Sequence, residues 1–241
     1  MTQKKIAFLG ASTGVGLATL KTCLAAGHQC IALCRNPAKL GAHFDLDNTP
    51  NLVVVQGNAH DIAAVSRCLK ASETALVDVV VSTIGGAFVL SKMTLDDPHV
   101  CEKGMSVLLS ALSRLRKEGV TGRPHVIACS TTGMSRFGRD TPLPVVPFYG
   151  VVLKVPHADK RAMEDALAAS GEDFIVVRAS LLTDGETDRE VRVGIEDPVK
   201  GVESKAIGYT ISREDAGKWV ARNLVLRREE RYCNKTVTIT Y

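Results

Sequence analysis

The amino-acid sequence predicts a doubly wound α/β domain, in which helices cover both faces of a mostly parallel sheet. Short runs rich in Val and Ile are apolar on nearly every residue, which is typical of strands buried on both faces. Longer amphipathic segments separate these runs, so the order alternates between strand and helix and requires right-handed crossovers. The first run also leads into a glycine-rich turn that opens a helix.

The predicted elements follow one another along the chain with few interruptions. Strands are expected at residues 5–9, 29–34, 52–56, 78–82, 125–129, 174–177 and 236–241. Helices are expected at residues 15–26, 62–71, 100–118, 159–169 and 213–226. Residues 134–156 and 183–206 are expected as loops at the ligand-binding edge, the second as a flap over the same crevice. No linker or repeat divides the chain, so residues 1–241 are interpreted as one domain.

The composition narrows the classes of partner. The 30 basic and 26 acidic residues give a net charge of +4, which is too small and dispersed to indicate a nucleic-acid partner. Only 5% of residues are aromatic, so platforms for stacking bases are not expected either. A small-molecule substrate is the expected partner, and the chain is expected as a monomer or a small homo-oligomer.

The cysteines and the N-terminal residues indicate the cellular compartment in which the protein is expected. The 7 cysteines are odd in number and form no Cys-x-x-Cys pair, which argues against a zinc site and favours a reducing compartment. No metal site is expected. The first apolar run covers only residues 6–9, too short for a signal peptide or a membrane span. A cytoplasmic protein that does not enter membranes is therefore expected.

The glycine-rich turn reads Gly10-Ala-Ser-Thr-Gly14-Val-Gly16. In such a turn the first glycine permits a sharp bend, the second lets backbone N–H groups approach a pyrophosphate, and the third lets the helix pack on the strand. The helix N-terminus then offers free N–H donors and partial positive charge to the phosphates. We therefore expect residues Gly10, Ser12, Thr13, Gly14, Val15 and Gly16 to contact a nicotinamide dinucleotide.

The end of the second strand predicts which dinucleotide is bound. NAD sites place a carboxylate there for the ribose 2′-hydroxyl, but here Arg35 follows the strand and no carboxylate comes before Asp45. Arg35 is expected to pair with a 2′-phosphate, with Lys39 as a second contact, which favours NADP(H). The alternative is that Arg35 is an ordinary surface arginine.

Residues after the next two strands are further candidates for cofactor contacts. Asn58 and Asp61 follow the third strand and are expected to border the adenine. Thr83 and Gly85 follow the fourth strand, in a stretch of small residues that offers a backbone edge to the cofactor.

Several loose motifs in a fixed order resemble the short-chain dehydrogenase/reductase superfamily, within it the atypical branch of NmrA-like and flavin- or biliverdin-reductase-like proteins. They are Gly10–Gly16, Cys34-Arg35-Asn36-Pro37, Ser82–Gly86, Lys160-Arg-Ala-Met-Glu164, Ala169-Ser170-Gly171, Val177-Arg178, Leu181-Leu182-Thr183-Asp184-Gly185 and Ile211-Ser212-Arg213-Glu214-Asp215-Ala216-Gly217. The resemblance implies a Rossmann-type domain, NADP(H), and a small organic substrate at the C-terminal edge of the sheet. One motif departs from this branch, because the Gly-x-x-x-Gly-x-Gly spacing is that of enzymes with a Tyr-x-x-x-Lys active site.

A catalytic set of that kind has two possible registers here. Ser130, Tyr149 and Lys154 are the candidates in the first, yet Tyr149 and Lys154 are five residues apart and would lie roughly 140° apart around a helix. That pair works only if the backbone between them is not helical. In the second register Lys160, four residues before Glu164, is the lysine that binds the nicotinamide ribose.

The second register puts Pro156 where the tyrosine acid belongs. His157 and Tyr149 are then the nearest alternative proton donors, and Ser130 or Thr131 is expected to touch nicotinamide or substrate. The alternatives are a Lys160–Glu164 surface pair, a solvent-facing His157, and hydroxyls that bond their own loop. Transfer of hydride to a flavin, a quinone or another easily reduced π-system needs no protein acid.

Three functions are consistent with these features. The first is an NADPH-dependent reductase of a small carbonyl, quinone or flavin-like acceptor, which lacks the Tyr-x-x-x-Lys pair. The second is a non-enzymatic NADP(H) sensor that signals to a partner through an apolar patch. The third is a fold recruited for an isomerase or cyclase step.

Overall fold

The computed structural model describes residues 3–86, 88–89, 94–146, 150 and 152–241. Its strands are β1 (Lys5–Leu9), β2 (Gln29–Cys34), β3 (Leu52–Gln56), β4 (Val79–Ser82), β5 (Phe88–Val89), β6 (Thr94–Leu95), β7 (His125–Thr131), β8 (Phe174–Ala179), β9 (Leu181–Thr183), β10 (Arg192–Asp197), β11 (Gly201–Ser204), β12 (Thr210–Ser212) and β13 (Lys235–Thr240).

The helices lie between these strands. They are α1 (Gly14–Ala25), α2 (Ala38–Gly41), α3 (Ile62–Leu69), α4 (Val100–Lys117), α5 (Lys154–Ala169) and α6 (Arg213–Trp219), and α6 continues as a π-helix over Val220–Leu226. Short 3₁₀ turns occupy Leu143–Val145 and Glu230–Tyr232. None of the helices in the described ranges is long and apolar enough to cross a membrane.

The central sheet has nine strands in the order β3-β2-β1-β4-β7-β8-β13-β10-β11. All neighbours from β3 to β13 pair in parallel, whereas β10 pairs antiparallel with both β13 and β11. The chain moves outward from β1 to β3 and then returns to β4 on the other side of β1. This reversal creates a crevice beyond the carboxyl ends of β1 and β4, where open α/β sheets bind their ligands.

Two apolar clusters bury the two faces of this sheet. Ile6 and Phe8 of β1 point into one cluster, which α1, α6 and the π-helix cover. Ala7 and Leu9 of the same strand point into the other, which α3, α4 and α5 cover. Because both faces are buried, the strands are apolar on successive residues, and this is why their positions could be predicted from apolar runs.

The predicted fold class is confirmed, and β1, β2 and β3 have the predicted bounds. The prediction of a loop at 183–206 is wrong in part, because residues of this range form β10 and β11, which extend the sheet at one end. Gly194 in β10 lets the chain after β11 pass close by, because a Cβ there would lie 2.8 Å from the Ala206 nitrogen. Helix α5 begins at Lys154, five residues earlier than expected, so the predicted loop 134–156 ends sooner. The single-domain interpretation stays a prediction.

Candidate cofactor and substrate site

The glycine-rich turn packs directly against the end of β4. Gly10 has a φ of +94°, and a Cβ on it would lie 2.9 Å from the carbonyl carbon of Thr83. A Cβ on Gly16 would lie 2.3 Å from the Thr83 Oγ1 and 2.6 Å from the Gly10 carbonyl oxygen. Both positions therefore require glycine, one for the bend and one for the close approach of α1 to the strands.

The N-terminus of α1 faces the crevice with its donors uncapped. Thr13, the N-cap residue, is extended and its side chain makes no capping hydrogen bond, and the first turn holds no acidic residue. Gly14 has a φ of +57°, a conformation that favours glycine. The turn thus leaves room and N–H donors for phosphate groups, so the residues present fit a dinucleotide.

The crevice has two halves that meet at the glycine-rich turn. One half, of about 440 Å³, extends toward the ends of β2 and β3. The other, of about 560 Å³, extends toward the ends of β7 and β8 and the start of α5. Both halves are lined by Gly10, Thr13, Thr83, Ile84, Gly85 and Gly86. We call them the β2–β3 half and the β7–β8 half.

The β2–β3 half contains Ser12, Arg35 and Asn58. Arg35 is exposed, and its guanidinium makes no hydrogen bond or ion pair within the described part of the chain. It is therefore available to an anionic ligand. Lys39 is exposed on α2 but does not line this half, as far as the described residues show.

Asp61 is not among the described residues that line the crevice. Its carboxylate caps α3 by accepting a hydrogen bond of 2.9 Å from the Ala63 nitrogen. His60 lines the crevice instead, and its Nε2 lies 3.2 Å from the Val100 carbonyl oxygen. Asp97 also lines this half, and its carboxylate pairs with Lys103 at 3.3 Å. Because it precedes α4, it is not the carboxylate that an NAD site places after β2.

The β7–β8 half brings together most of the predicted catalytic residues. Ser130 and Thr131 at the end of β7 line it, with Pro156, His157 and Lys160 of α5. Val15 and Gly16 also line this half. Lys154 is exposed and is not among its described lining residues. Tyr149 lies outside the described residues, so the register that pairs it with Lys154 stays a prediction.

Ser130 belongs to a buried chain of charges behind the crevice wall. Its hydroxyl donates a hydrogen bond of 2.5 Å to the Glu164 Oε1. Arg178 on β8 donates to both oxygens of Glu164, at 3.2 and 2.6 Å, and to the Glu196 Oε1 at 3.0 Å. Ser130, Glu164 and Arg178 are 6%, 8% and 5% exposed. The Ser130 proton is therefore directed at a carboxylate, and its oxygen is left to accept.

This network also affects the pKa of its arginine. Burial alone would lower the pKa of Arg178, but its hydrogen bonds to Glu164 and the charges of Glu164 and Glu196 raise it above its ordinary value. Arg178 therefore stays a cation although it is buried.

Lys160 turns toward β7 rather than along its own helix. Its Nζ donates to the Cys129 carbonyl oxygen at 3.3 Å, while Glu164 is occupied by Ser130 and Arg178. A Lys160–Glu164 surface pair is therefore not what the structure shows. Burial raises the pKa of the adjacent Cys129 thiol to about 11, although the charge of Lys160 opposes the shift. That thiol is not a nucleophile at neutral pH.

His157 is poorly suited to hold a proton at neutral pH. Burial lowers the pKa of His157, and the charges of Arg161 and Lys160 lower it further, against the opposing charges of Asp140 and Glu164. The ring is therefore neutral at pH 7. Among the described residues, no group of three or more His, Cys, Asp or Glu side chains is placed to hold a metal ion.

Arg213, the first residue of α6, is a site residue to which sequence analysis gave no role. It lines the β7–β8 half and lies beside Gly14, where a Cβ would be 3.2 Å from the Arg213 Cδ. The motif around Arg213 was visible in the sequence, but its contact with the glycine turn depends on the packing of α6 against α1. Sequence spacing alone gives no indication of that contact.

Comparisons with known proteins identify the family. A model of a family described as NAD(P)H-binding matches residues 10–225. The curated reductase pytE of Aspergillus terreus is 39% identical, over 98% of this chain and 97% of that protein. The curated oxidase pynE of Aspergillus niger is 33% identical, over 100% of this chain and 99% of that protein.

Solved structures show the same fold at low identity. A wide-type short-chain dehydrogenase/reductase from Veillonella parvula, crystallised in complex with NADP, is 16% identical with a TM-score of 0.74, over 100% of this chain and 95% of that one. ChuY, an anaerobillin reductase from Escherichia coli O157:H7, is 18% identical with a TM-score of 0.63, over 98% of this chain and 96% of that one.

Proposed function

The chain belongs to the NAD(P)H-binding family and is an oxidoreductase, and from that premise we propose that it is an NADPH-dependent reductase of small conjugated acceptors. The acceptor is a carbonyl compound, a quinone or a flavin-like ring. The observation that carries this proposal is the shape of the crevice. Its glycine-rich turn lies between a half with Arg35, which has no partner among the described residues, and a half with Ser130 and Lys160.

The preference for NADPH over NADH rests on Arg35. The side chain follows β2, lines the β2–β3 half and has no partner in the described part of the chain. A guanidinium there forms charge-assisted hydrogen bonds with a 2′-phosphate. The carboxylate that an NAD site uses at this point is not present at the end of β2. The similar Veillonella protein, crystallised with NADP, supports the same preference.

In the β7–β8 half, Lys160 is proposed to bind the nicotinamide ribose. Its ammonium is held at the crevice wall by the Cys129 carbonyl oxygen, so two of its three donors remain for ribose hydroxyls. Bound NADPH would supply the hydride. Lys160 at the nicotinamide ribose and the glycine turn at the pyrophosphate would together fix the orientation of the dinucleotide. Such positioning is the protein's contribution to the hydride transfer.

The substrate surface of this half is mainly apolar. Its apolar lining residues include Val152, Leu153, Pro156, Leu181 and Leu182. Among the described residues no carboxylate lines it. Burial keeps His157 neutral, and Ser130 directs its proton to Glu164. These features disfavour strong general-acid catalysis and suit an acceptor whose π-system spreads the incoming charge.

The decisive experiment mixes the purified protein and NADPH with a panel of quinones, flavins and α,β-unsaturated carbonyl compounds. Loss of the absorbance of reduced nicotinamide is followed for each acceptor. We expect consumption of NADPH with at least one class, and slower consumption of NADH. Tight NADPH binding without consumption by any of them would contradict the proposal and favour a cofactor sensor.

A pair of lysine variants on α5 provides the matched control. Lys160→Ala should lower turnover by about tenfold or more, because it removes a charge-assisted contact. Lys154→Ala removes an exposed lysine near the same helix end and should leave turnover unchanged. If Lys154→Ala is the more damaging change, the register that pairs Tyr149 with Lys154 would replace the one proposed here.

A further inference from the structure

Arg213 occupies a position next to the glycine turn that the proposed function does not use. The Arg213 Nε lies 3.8 Å, and the Cδ 3.2 Å, from the point that a Cβ on Gly14 would occupy. Arg213 lines the β7–β8 half but not the β2–β3 half, whereas Arg35 lines only the latter. The two arginines therefore flank opposite sides of the turn.

The packing of α6 on α1 fixes this position. A Cβ on Gly217 would lie 2.5 Å from the Ala18 Cβ and 2.6 Å from the Val15 carbonyl oxygen, so the two helices touch through their backbones. The Thr19 hydroxyl adds hydrogen bonds to the carbonyl oxygens of Val15 at 2.8 Å and Gly217 at 3.2 Å. The backbone that carries Arg213 is thus held rigidly against the helix that carries the turn.

The Arg213 guanidinium has one described partner, an exposed carboxylate. Its Nη1 donates to the Asp184 Oδ1 at 2.7 Å, and the Asp184 side chain is 84% exposed. The segment 184–187, which follows β9, is also tied to α6 by the Glu186–Lys218 ion pair and by hydrogen bonds from Thr187 to Asp215. An ion pair with so exposed a partner is weak, so an anion in the crevice can compete for the guanidinium.

We propose that Arg213 binds the nicotinamide-side phosphate of the cofactor, and that Asp184 occupies the guanidinium when no cofactor is bound. This inference rests on the proposed function, since it assumes a dinucleotide in the crevice. A guanidinium beside the N-terminus of α1 adds a full positive charge to the N–H donors of the turn. When phosphate replaces Asp184 as the partner of Arg213, segment 184–187 loses one of its contacts with α6. Cofactor binding is thereby linked to this segment.

The test compares two ligands in fluorescence or calorimetric titrations of the full-length protein. NADPH carries both phosphates of the pyrophosphate, whereas adenosine 2′,5′-bisphosphate lacks the nicotinamide-side phosphate but keeps the groups that Arg35 recognises. Arg213→Ala should weaken NADPH binding by about tenfold or more, because a charge-assisted contact is lost. The same variant should bind the bisphosphate as the wild type does.

Two further variants separate a direct contact from a structural effect. Asp184→Asn should strengthen NADPH binding by about two- to fivefold, since it removes an exposed competitor for the guanidinium. Lys218→Ala breaks the neighbouring Glu186 contact of the same segment and should leave NADPH binding unchanged. Circular dichroism confirms that each variant is folded.

Distinct outcomes would overturn this inference. An Arg213→Ala protein with wild-type NADPH affinity excludes the contact, and one that binds both ligands equally more weakly indicates a structural role instead. An Asp184→Asn protein that binds NADPH no better than the wild type excludes the competition. Failure of the wild-type protein to bind NADPH at all would contradict the proposed function instead.

Discussion

The Ser130 hydroxyl donates a hydrogen bond of 2.5 Å to the Glu164 carboxylate, and Arg178 on β8 donates to the same carboxylate. A serine in this state offers the crevice an oxygen that accepts hydrogen bonds rather than a proton. Its proposed partner on the substrate is therefore an N–H or O–H group, not a bare carbonyl oxygen.

Ser130→Ala tests whether this oxygen touches the substrate. The variant should lower kcat/KM for the acceptor by about tenfold and leave NADPH affinity unchanged, because one neutral hydrogen bond is lost. Ser135→Ala is the matched control, since Ser135 bonds Glu196 at the far end of the same network and does not line the crevice. Equal kcat/KM values for both variants would exclude a substrate contact for Ser130.

Glu164→Gln should destabilise the protein strongly. The change leaves the buried Arg178 with Glu196 as its remaining charged partner, and breaking a buried pair costs about 3 kcal/mol of unfolding free energy. Asp165→Asn, at the next position of α5, breaks only an exposed pair with Arg136 and should cost less than about 1 kcal/mol. Urea unfolding measures both, and equal losses would show that the buried network does not support the fold.

His125 predicts a pH dependence of stability. Burial lowers the pKa of His125 to about 4, with Arg228 and Lys4 adding to the shift against Asp173, and neither ring nitrogen has a hydrogen-bond partner among the described residues. Between this value and the ordinary pKa of about 6.5 the unfolded chain binds the extra proton. Stability is therefore complete above that window and falls by about 3 kcal/mol as the pH drops through it.

His125→Leu should remove most of this dependence in urea titrations at a series of pH values. His43→Leu, at an exposed position, should leave the slope unchanged. A His125→Leu protein with the wild-type slope would show that other groups cause the loss of stability in acid.

Arg35→Glu should reverse the cofactor preference. A carboxylate after β2 repels a 2′-phosphate and can accept from a 2′-hydroxyl, so NADPH binding should fall by about a hundredfold while NADH binding holds or improves. Lys39→Glu, on α2 outside the crevice, is the control and should have a much smaller effect. Equal losses for NADPH and NADH in fluorescence titrations would refute the role given to Arg35.

Much of the cofactor half could be predicted from sequence because its determinants are local. Gly10 and Gly16 are constrained by the strand before them and the helix after them, and Arg35 simply follows an apolar strand. Asp61 both follows β3 and precedes α3, and in the structure its carboxylate serves as the N-cap of that helix, so its contact with the adenine stays a prediction. Local sequence could not separate the two roles.

Other features depend on contacts between distant parts of the chain. Arg213 reaches the turn only because α6 packs on α1, and Ser130 meets Glu164 and Arg178 only because β7, α5 and β8 adjoin. Strands β10 and β11 at one end of the sheet were missed because their sequences are of mixed polarity and lack the apolar runs of the buried strands. The periodicity of a sequence indicates which residues are buried. It does not indicate which distant elements pack together, and the features named here depend on that packing.

The most direct test of the reductase proposal is isotope transfer. NADPH deuterated on one face of the nicotinamide C4 is incubated with the protein and the acceptor that turns over, and the NADP⁺ that forms is examined by mass spectrometry, since its C4 hydrogen does not exchange with water. The proposal predicts NADP⁺ that has lost the deuterium when the label is on one face and has kept it when the label is on the other, as expected for a dinucleotide held in one orientation. NADP⁺ with the same deuterium content from both labelled cofactors would contradict it.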